Sequence, residues 1–510
     1  MDIRISPSNL NGFVQAVSSK SDVHRALICA AFADAPTEIS CNLLSKDIEA
    51  TARCLTAAGS LIETDIDQEN GSGTIRVNPA GMTVRKQERK QKRERDVAVD
   101  AAFEPEHAAE AKPLTDSTAE LFCGESGSTL RFLVPVMTAL GKPATFTGEG
   151  ELPNRPMDAL LSVLSAHGVH AVCCGSRCLP LTLSGRLSGG VFLLPGDISS
   201  QYITGLLLSF PLIGERAEIC LTTGLQSAAY VDMTLDTMSR FGISIQKTGQ
   251  GYLYSHKQTE HPAKQTAYLS KQIVYPSKQT VYFPKQTEHL LPRQTAQKEK
   301  DACGRQVKNS RPYHSPGRYC SDGDWSNAAF WLCAGKLSGN SISVKGLRRE
   351  SLQGDRAAAD LLSLFEEKHQ NETKPLRVID ASNIPDLVPA FSALAAATPG
   401  TTKFVRAGRL RLKECDRLTA LSDVLGKMGA RVEERQEELI IEGAADGRLS
   451  GGCEVSGHND HRIVMAAAIA ASACRKEVII KGAQAVQKSY PHFFSDFRKL
   501  GGRADVVDLR

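Results

Sequence analysis

The chain has 510 residues, of which 41% are hydrophobic and 23% are charged, a composition typical of soluble globular proteins. This length exceeds what a single hydrophobic core usually supports, so we expect two domains or a duplicated architecture. The formal net charge of +4 gives no reason to expect a nucleic-acid-binding protein, and no apolar run approaches the roughly 20 residues that span a bilayer.

The N-terminal segment and the cysteines indicate a protein of the reducing cytoplasm. The segment MDIRISPSNLNG lacks the apolar stretch of a signal peptide and the Arg/Ser richness of a transit peptide. The fourteen cysteines are scattered through apolar stretches and include no CxxC pair. This pattern favours reduced, buried thiols over disulfides or a metal site.

A short polar cluster followed by an apolar helix of small residues recurs six times along the chain. Apolar residues occupy nearly every side of these helices, which predicts that the helices are buried. Their N-termini combine polar side chains with free N–H groups, an arrangement that favours anions. The segments are SKSDVHRALICAAFA (19–33), SGSTLRFLVPVMTALG (126–141), SSQYITGLLLSFPLIG (199–214), WSNAAFWLCAGKLSG (325–339), PDLVPAFSALAAATPG (385–400) and NDHRIVMAAAIAASA (459–473).

Amphipathic segments alternate with these helices and often end in glycine and a β-like run. Each predicts a helix that packs one apolar stripe on a sheet or on a buried helix. They include RPMDALLSVLSAHGVHAV (155–172), YVDMTLDTMSRFGISI (230–245), DRLTALSDVLGKMGARVEE (416–434) and FFSDFRKLGGRADVV (493–507). Together with short strand-like pieces such as VFLLP and ELIIEG, the six units predict an α/β architecture.

Two segments interrupt the pattern. The charge run RKQERKQKRER (85–95) lies in a polar stretch of about 81–117, and it favours a solvated insertion over an RNA-binding arm because no aromatic residue interleaves with the charges. Residues 257–291 repeat a seven-residue KQT unit, in which recurring prolines and the lack of an apolar seam exclude a coiled coil. We expect residues 247–316 to be a low-complexity insertion.

Basic and hydroxyl side chains stand at the starts of the apolar helices. Taken singly, a serine there is usually an N-cap, a Lys-Glu pair a surface ion pair, and a lone histidine structural. Strongly basic residues at the starts of buried helices are not typical of solvated faces. If these starts converge, they form a site for several negative charges. They carry Lys20, Ser21, Arg25, Gly127, Ser128, Arg131, Arg155, Ser199, Ser200, Gln201, Ser227, Tyr230, Lys413, Glu414, Arg417, His461, Arg462 and Lys488.

Ten motifs in chain order resemble those of the EPSP synthase (3-phosphoshikimate 1-carboxyvinyltransferase) family, within the enolpyruvyl transferase group. They are SKSxxxRAL, GxSGSTLRF, LPxRPM, GDISSQYITGLL, YVDMTL, GDWSNAAFWL, IPDLVPA, RLRLKECDRL, GHNDHRIVMA and KSYPxFF, and they cover nearly the whole chain outside the two insertions. The resemblance implies a two-lobed fold of six βαβαββ units, three per lobe. One lobe comprises 1–18 and 317–510, and the other comprises 19–246.

The resemblance also implies a reaction. The enolpyruvyl group of phosphoenolpyruvate passes to the 5-hydroxyl of 3-phosphoshikimate, in the shikimate pathway of aromatic amino acid biosynthesis. No cofactor or metal is implied, and we expect a monomer that binds neither nucleic acid nor membrane.

The same resemblance assigns roles to individual residues. Asp386 is the general base, Glu414 is the general acid, and Lys20 touches both substrates. The residues assigned to 3-phosphoshikimate are Lys20, Ser21, Arg25, Ser199, Ser200, Gln201, Ser227, Tyr230, Asp386 and Lys413. Those assigned to phosphoenolpyruvate are Lys20, Gly127, Arg155, Gln201, Arg417, His461, Arg462 and Lys488.

Three positions depart from the family pattern: His24 and Glu125, where Asn is common, and Arg409, where some members have Asn. Two other functions stay open. A UDP-N-acetylglucosamine enolpyruvyl transferase is disfavoured because Lys20-Ser21 with Arg25 suits a small phosphorylated acid better. An inactive paralogue that only binds phosphorylated metabolites is disfavoured because the proposed catalytic and cationic residues occur together.

Overall fold

The computed structural model describes residues 1–67, 72–81, 118–173, 177–255, 311–366 and 375–507. The charge run 85–95 and the KQT repeat 257–291 lie outside these ranges. No helix in the described ranges is both long and apolar enough to cross a membrane.

The helices follow the chain in two alternating kinds, as the sequence predicts. They are α1 Lys20–Ala31, α2 Lys46–Ala57, α3 Gly127–Ala139, α4 Asp158–Ala166, α5 Ser200–Ile213, α6 Ala228–Arg240, α7 Trp325–Leu337, α8 Ala358–Leu361, α9 Val388–Ala396, α10 Arg417–Lys427, α11 His461–Ser472 and α12 Phe493–Lys499.

The six predicted small-residue helices are α1, α3, α5, α7, α9 and α11, and nearly every residue in them is buried. Four of them begin at a side-chain cap, in which a serine or aspartate oxygen accepts a hydrogen bond from a backbone N–H of the first turn. These caps are Ser126, Ser199, Asp324 and Asp460.

Two helices do not appear among the predicted segments. Helix α2 is capped by Ser45, which accepts from the N–H of Ile48, and it buries Ile48 and Leu55. Helix α8 is only four residues long and lies between two 3-10 turns, Gly354–Ala357 and Leu362–Phe365. Both occur between predicted units, and α2 lines the cavity described below.

The strands are β1 Asp2–Ser6, β2 Gly12–Gln15, β3 Thr37–Ser40, β4 Leu61–Asp67, β5 Ser72–Asn78, β6 Ala119–Phe122, β7 Ala144–Thr147, β8 Val169–Cys173, β9 Leu181–Gly185, β10 Gly190–Leu194, β11 Ala217–Leu221, β12 Gln246–Lys247, β13 Gly251–Tyr254, β14 Arg318–Cys320, β15 Ile342–Lys345, β16 Leu376–Asp380, β17 Gly400–Val405, β18 Arg431–Glu434, β19 Leu439–Gly443, β20 Cys453–Ser456, β21 Val478–Lys481 and β22 Arg503–Val507.

Within the described ranges these strands form six sheets, five of four strands and one of two. Every four-stranded sheet has the same plan, a parallel pair extended by two antiparallel strands. In one of them β6 runs parallel to β7 with Leu121 opposite Phe146, and β9 and β8 follow antiparallel. The repetition of one plan confirms the duplicated α/β architecture.

In the described part of the chain, the buried apolar side chains form two hydrophobic cores. The N-terminal core joins buried residues between 23 and 254 with Tyr313 and Tyr319, and the C-terminal core joins residues 3–17 and Leu43 with residues 329–504. Strand β1 belongs to the latter because it pairs with β21 and β22.

The sheet of β10 and β11 extends into the range 247–316, which the sequence assigns to an insertion. Strand β13 pairs there with β11, because its alternating Tyr252 and Tyr254 enter the N-terminal core. The limits of the two lobes stay a prediction.

Gly205 of α5 packs directly against the backbone of α3. A Cβ added there would lie 2.3 Å from the carbonyl oxygen of Arg131, and a backbone atom of a buried helix cannot move aside. We expect Gly205→Ala to lower the free energy of unfolding by about 1–3 kcal/mol, as overpacked sites do. Urea denaturation followed by circular dichroism measures this.

Gly426 provides the matched control. It lies exposed in α10, and a Cβ added there would meet no atom within 4 Å. Gly426→Ala should raise the free energy of unfolding by about 0.5–1 kcal/mol, because alanine loses less backbone entropy than glycine in a helix. Unchanged stability of Gly205→Ala would contradict the close contact between α3 and α5.

Candidate active site

The helix starts converge on one cavity. The first turns of α1, α3, α5, α7 and α11 line it, together with Asp386, which stands in the 3-10 turn Pro385–Leu387 before α9. The predicted residues in its lining are Lys20, Ser21, Arg25, Gly127, Ser128, Arg131, Arg155, Ser199, Ser200, Gln201, Ser227, Tyr230, Asp386, Lys413, Glu414, His461 and Arg462.

A single buried arginine holds the acidic side of the cavity. The guanidinium of Arg417 is 1% exposed and donates to Asp386 Oδ1 (2.9 Å), Glu414 Oε2 (2.7 Å) and Asp460 Oδ2 (2.8 Å). Asp460 also accepts from the N–H of Arg462 (2.8 Å), so the same carboxylate caps α11. Arg417 does not itself line the cavity.

Cations keep both candidate catalytic carboxyls ionised. Burial favours the neutral form of Asp386, but Arg462, Lys413 and Arg417 outweigh it and hold the pKa of this carboxyl well below its usual range. Burial acts in the same way on Glu414, and Arg417, with further cations that include Arg155 (3.8 Å), holds its pKa well below the usual range.

Burial also lowers the pKa values of several cations around the cavity, which keep their charge at neutral pH. Desolvation lowers the pKa of Lys413 to about 8, although Asp386, at 3.5 Å, opposes it. It lowers the pKa values of Arg25 and Arg131 to about 10 each. A buried cation gains most from an anionic partner, so this lining is suited to an anionic ligand.

Several polar atoms at the cavity lack a partner. Among the described residues, Nε of Arg131, Nε of Arg155 and both ring nitrogens of His461 form no hydrogen bond. Burial, with the charges of Lys20 and Arg462, lowers the pKa of His461 well below its usual range, so the imidazole is neutral and presents one donor and one acceptor.

Gly127 leaves the space that Arg155 occupies. A Cβ at position 127 would lie 2.7 Å from Nη1 of Arg155, so any side chain there would push the guanidinium away. The glycine at the first position of α3 therefore allows the arginine to lie against the N-terminus of that helix.

Lys488 lies beside the cavity rather than in its lining. Its Nζ donates to Glu125 Oε2 (2.9 Å), and the carbonyl oxygen of Asn459 also accepts from it. The Asn459 amide donates to the same Glu125 oxygen (2.8 Å). The unusual Glu125 therefore bridges the start of α3 to two segments of the C-terminal core.

His24 and Arg409 are the other two positions that depart from the family pattern. His24 is buried, with Nδ1 at 2.7 Å from the hydroxyl of Thr51. Arg409 lines the cavity and donates to the hydroxyl of Ser227 (3.1 Å), so it adds a cation near the predicted binding serine.

The sequence did not single out several lining residues. Asp47 accepts from Nζ of Lys20 (2.7 Å), but it lies on the unpredicted helix α2. Ser326 accepts a hydrogen bond from Arg462 (2.9 Å) and lies two residues after the cap Asp324. The polar start of α7 could have indicated this residue from the sequence. No cluster of His, Cys, Asp and Glu suited to a metal ion occurs in the described part of the chain.

Comparison with known proteins identifies the family. The protein-family model described as EPSP synthase (3-phosphoshikimate 1-carboxyvinyltransferase) matches residues 5–95, 83–268 and 285–497. The 3-phosphoshikimate 1-carboxyvinyltransferase of Clostridium kluyveri is 35% identical over 99% of this chain and 98% of its own length. That of Clostridioides difficile is 34% identical over 99% of both chains. The chain belongs to the EPSP synthase family.

Solved structures share the fold of this EPSP synthase family member. EPSP synthase from Acinetobacter baumannii has a TM-score of 0.66 at 18% identity, covering 99% of this chain and 100% of that one. The enolpyruvyl transferase NikO from Streptomyces tendae has a TM-score of 0.59 at 15% identity, covering 99% and 98%. The predicted enolpyruvyl transferase fold is confirmed.

Removal of Arg417 should destabilise the protein most at neutral pH. Arg417→Met leaves three carboxylates without their shared cation, which should cost about 3–5 kcal/mol, as a broken buried ion pair does. Depressed pKa values stabilise the fold above the unfolded values, 3.8 for Asp386 and 4.5 for Glu414, and that stability is lost as the pH falls through the folded values. In Arg417→Met the buried carboxyls lose this cation and their pKa values rise, so the variant takes up protons as the pH falls toward 4. The loss in melting temperature should therefore be larger at pH 7 than at about pH 4.

Arg435 serves as the control for this experiment. It pairs with Glu433 (2.7 Å) and Glu438 (3.2 Å) at the surface, where water screens the charges. Arg435→Met should leave the melting temperature nearly unchanged at both pH values. A pH-independent loss for Arg417→Met would show that the arginine contributes packing rather than charge.

Proposed function

We propose that this chain transfers the enolpyruvyl group of phosphoenolpyruvate to the 5-hydroxyl of 3-phosphoshikimate, releasing phosphate and 5-enolpyruvylshikimate 3-phosphate in the cytoplasm. One observation carries the proposal within the family: Asp386 and Glu414 face one cation-rich cavity and are held by the same buried arginine. The relatives from both clostridial organisms are named for this reaction.

The charge of the cavity suits these two substrates. Each of them carries a phosphate and a carboxylate, and burying them requires charge-assisted hydrogen bonds. Lys20, Arg25, Arg155, Lys413 and Arg462 line the cavity. The N-termini of the buried helices add oriented N–H groups that favour anions without a further charged side chain.

The two carboxyls divide the proton transfers. Asp386 takes the proton of the 5-hydroxyl while the hydroxyl oxygen forms a bond to C2 of phosphoenolpyruvate. At the same time Glu414 donates a proton to C3. In the second step C3 returns a proton to Glu414, the C2–C3 double bond forms again and the C2–O bond to phosphate breaks. The leaving phosphate receives the proton that Asp386 holds.

Substrate binding prepares Glu414 for the acid role. In the structure Arg417, and after it Arg155 and Lys20, which line the cavity, hold the pKa of this carboxyl well below its usual range, whereas a general acid must begin protonated. The anionic groups of bound substrates offset those cations, which raises the pKa of Glu414. Asp386 keeps Arg417 and Arg462 as direct partners and stays a base.

Phosphate release with different acceptors tests the proposal. The purified protein should release phosphate from phosphoenolpyruvate when 3-phosphoshikimate is present, and not with UDP-N-acetylglucosamine or without an acceptor. Turnover with UDP-N-acetylglucosamine would assign the chain to the sister reaction. Tight substrate binding without any turnover would identify an inactive binding protein.

Asp386→Asn and Glu414→Gln test the proton transfers. Each variant keeps the side-chain size but removes the titrating group, so kcat should fall by roughly 10²–10⁴-fold. Binding of phosphoenolpyruvate, followed by calorimetry, should change less. Asp423→Asn is the control, since Asp423 pairs at the surface with Lys427 (2.8 Å) and should not affect kcat. Near-normal kcat in both test variants would refute the assigned roles.

A further inference from the structure

A tyrosine hydroxyl joins the candidate base to a second buried carboxyl. The hydroxyl of Tyr230 lies 3.0 Å from Asp386 Oδ2 and 3.0 Å from Asp355 Oδ2. A phenol carries one proton and can donate to only one of these oxygens. The other contact is a hydrogen bond only if that carboxyl carries a proton of its own.

The surroundings decide which carboxyl is protonated. Asp386 contacts the guanidinium groups of Arg417 (2.9 Å) and Arg462 (3.2 Å) and lies 3.5 Å from Nζ of Lys413, so it is the ionised partner. Asp355 is 3% exposed, and its Oδ1 has no hydrogen-bond partner among the described residues. An ionised carboxylate would be poorly compensated there.

We propose that Asp355 is a positioning residue for the general base. Its carboxyl is protonated and donates a hydrogen bond to the oxygen of Tyr230. The tyrosine hydroxyl is then free to donate its own hydrogen bond to Asp386. Asp355 touches no reacting atom. This inference rests on the proposed function for the role of Asp386, but the protonation of Asp355 can be measured independently.

The charges around Asp355 agree with this direction of the hydrogen bonds. Burial first, and then the charge of Asp386, raise the pKa of Asp355 to about 7. Asp324 adds to the rise, whereas the charge of Arg462 opposes it. Above that pH Asp355 ionises, and two carboxylates then compete for the single proton of the Tyr230 hydroxyl. The value of kcat/KM should therefore fall along an alkaline limb with a pKa of about 7.

Asp355→Asn separates the proton from the contact. The amide N–H can donate to Tyr230 as the protonated acid does, but it cannot ionise. Near pH 6, kcat/KM should stay within about threefold of the unchanged enzyme, because the hydrogen bond is retained. The alkaline limb near pH 7 should disappear. Asp355→Ala, which lacks a donor, should lose about tenfold near pH 6, the size of one hydrogen bond, and should also lack the alkaline limb near pH 7.

Thermal stability measures the proton without catalysis. The folded protein keeps this proton up to a pH of about 7, whereas an unfolded aspartate loses it near 3.8. The stabilisation from this group is therefore complete below 3.8 and is lost as the pH rises through about 7. Asparagine does not titrate and has no such loss. The melting temperature of Asp355→Asn should therefore rise relative to that of the unchanged protein as the pH increases from 3.8 to about 7.

The two readouts distinguish failure of this inference from failure of the proposed function. If the unchanged enzyme turns over neither acceptor, the proposed function is wrong, yet the pH dependence of melting still reports on Asp355. A melting difference that stays constant with pH, or an alkaline limb that keeps a pKa of about 7 in Asp355→Asn, would show that this titration does not belong to Asp355 and would overturn the proposal.

Discussion

The contacts of Arg417 with three carboxylates hold the site together. They join the turn before α9, the loop before α10 and the cap of α11, which are distant in sequence, through one buried guanidinium. Burying so many charges is costly unless the geometry satisfies each of them. Because Arg417 satisfies Asp386, Glu414 and Asp460 together, two carboxylates can face the cavity in ionised form. We infer that Arg417, which lies outside the cavity lining, positions the catalytic carboxylates, while Lys20, Arg155 and Arg462 in the lining contact the substrates.

The helices that reach the cavity are built for close approach. The absence of a side chain at Gly205 lets α5 pack directly against the backbone of α3 at Arg131. Helices of this kind bury their sides and leave their N-termini for function. Each start then contributes N–H groups and one or two side chains to the cavity, an arrangement that favours anions.

The sequence predicted those elements of the fold whose pattern lies within one short segment. The small-residue helices were predicted within a few residues, because an all-round apolar surface is a strong pattern. Helix α2 was missed because its charged residues, Lys46, Asp47 and Glu49, obscure the buried stripe at Ile48 and Leu55. The pairing of β1 with β21 and β22 spans almost the whole chain, and no local pattern encodes it. Asp355 escaped notice for the same reason, since its link to Asp386 passes through Tyr230.

Deuterium incorporation tests most directly whether Glu414, one of the two carboxyls held by Arg417, is the general acid. With phosphoenolpyruvate and 3-phosphoshikimate in D₂O, Glu414 exchanges its proton with solvent before donating to C3 of the enol. The unchanged enzyme should therefore place deuterium in the methylene group of the product, detected by mass spectrometry, and Glu414→Gln should form almost no labelled product. Unlabelled product from the unchanged enzyme, or labelled product formed at a normal rate by Glu414→Gln, would contradict protonation of C3 by this residue.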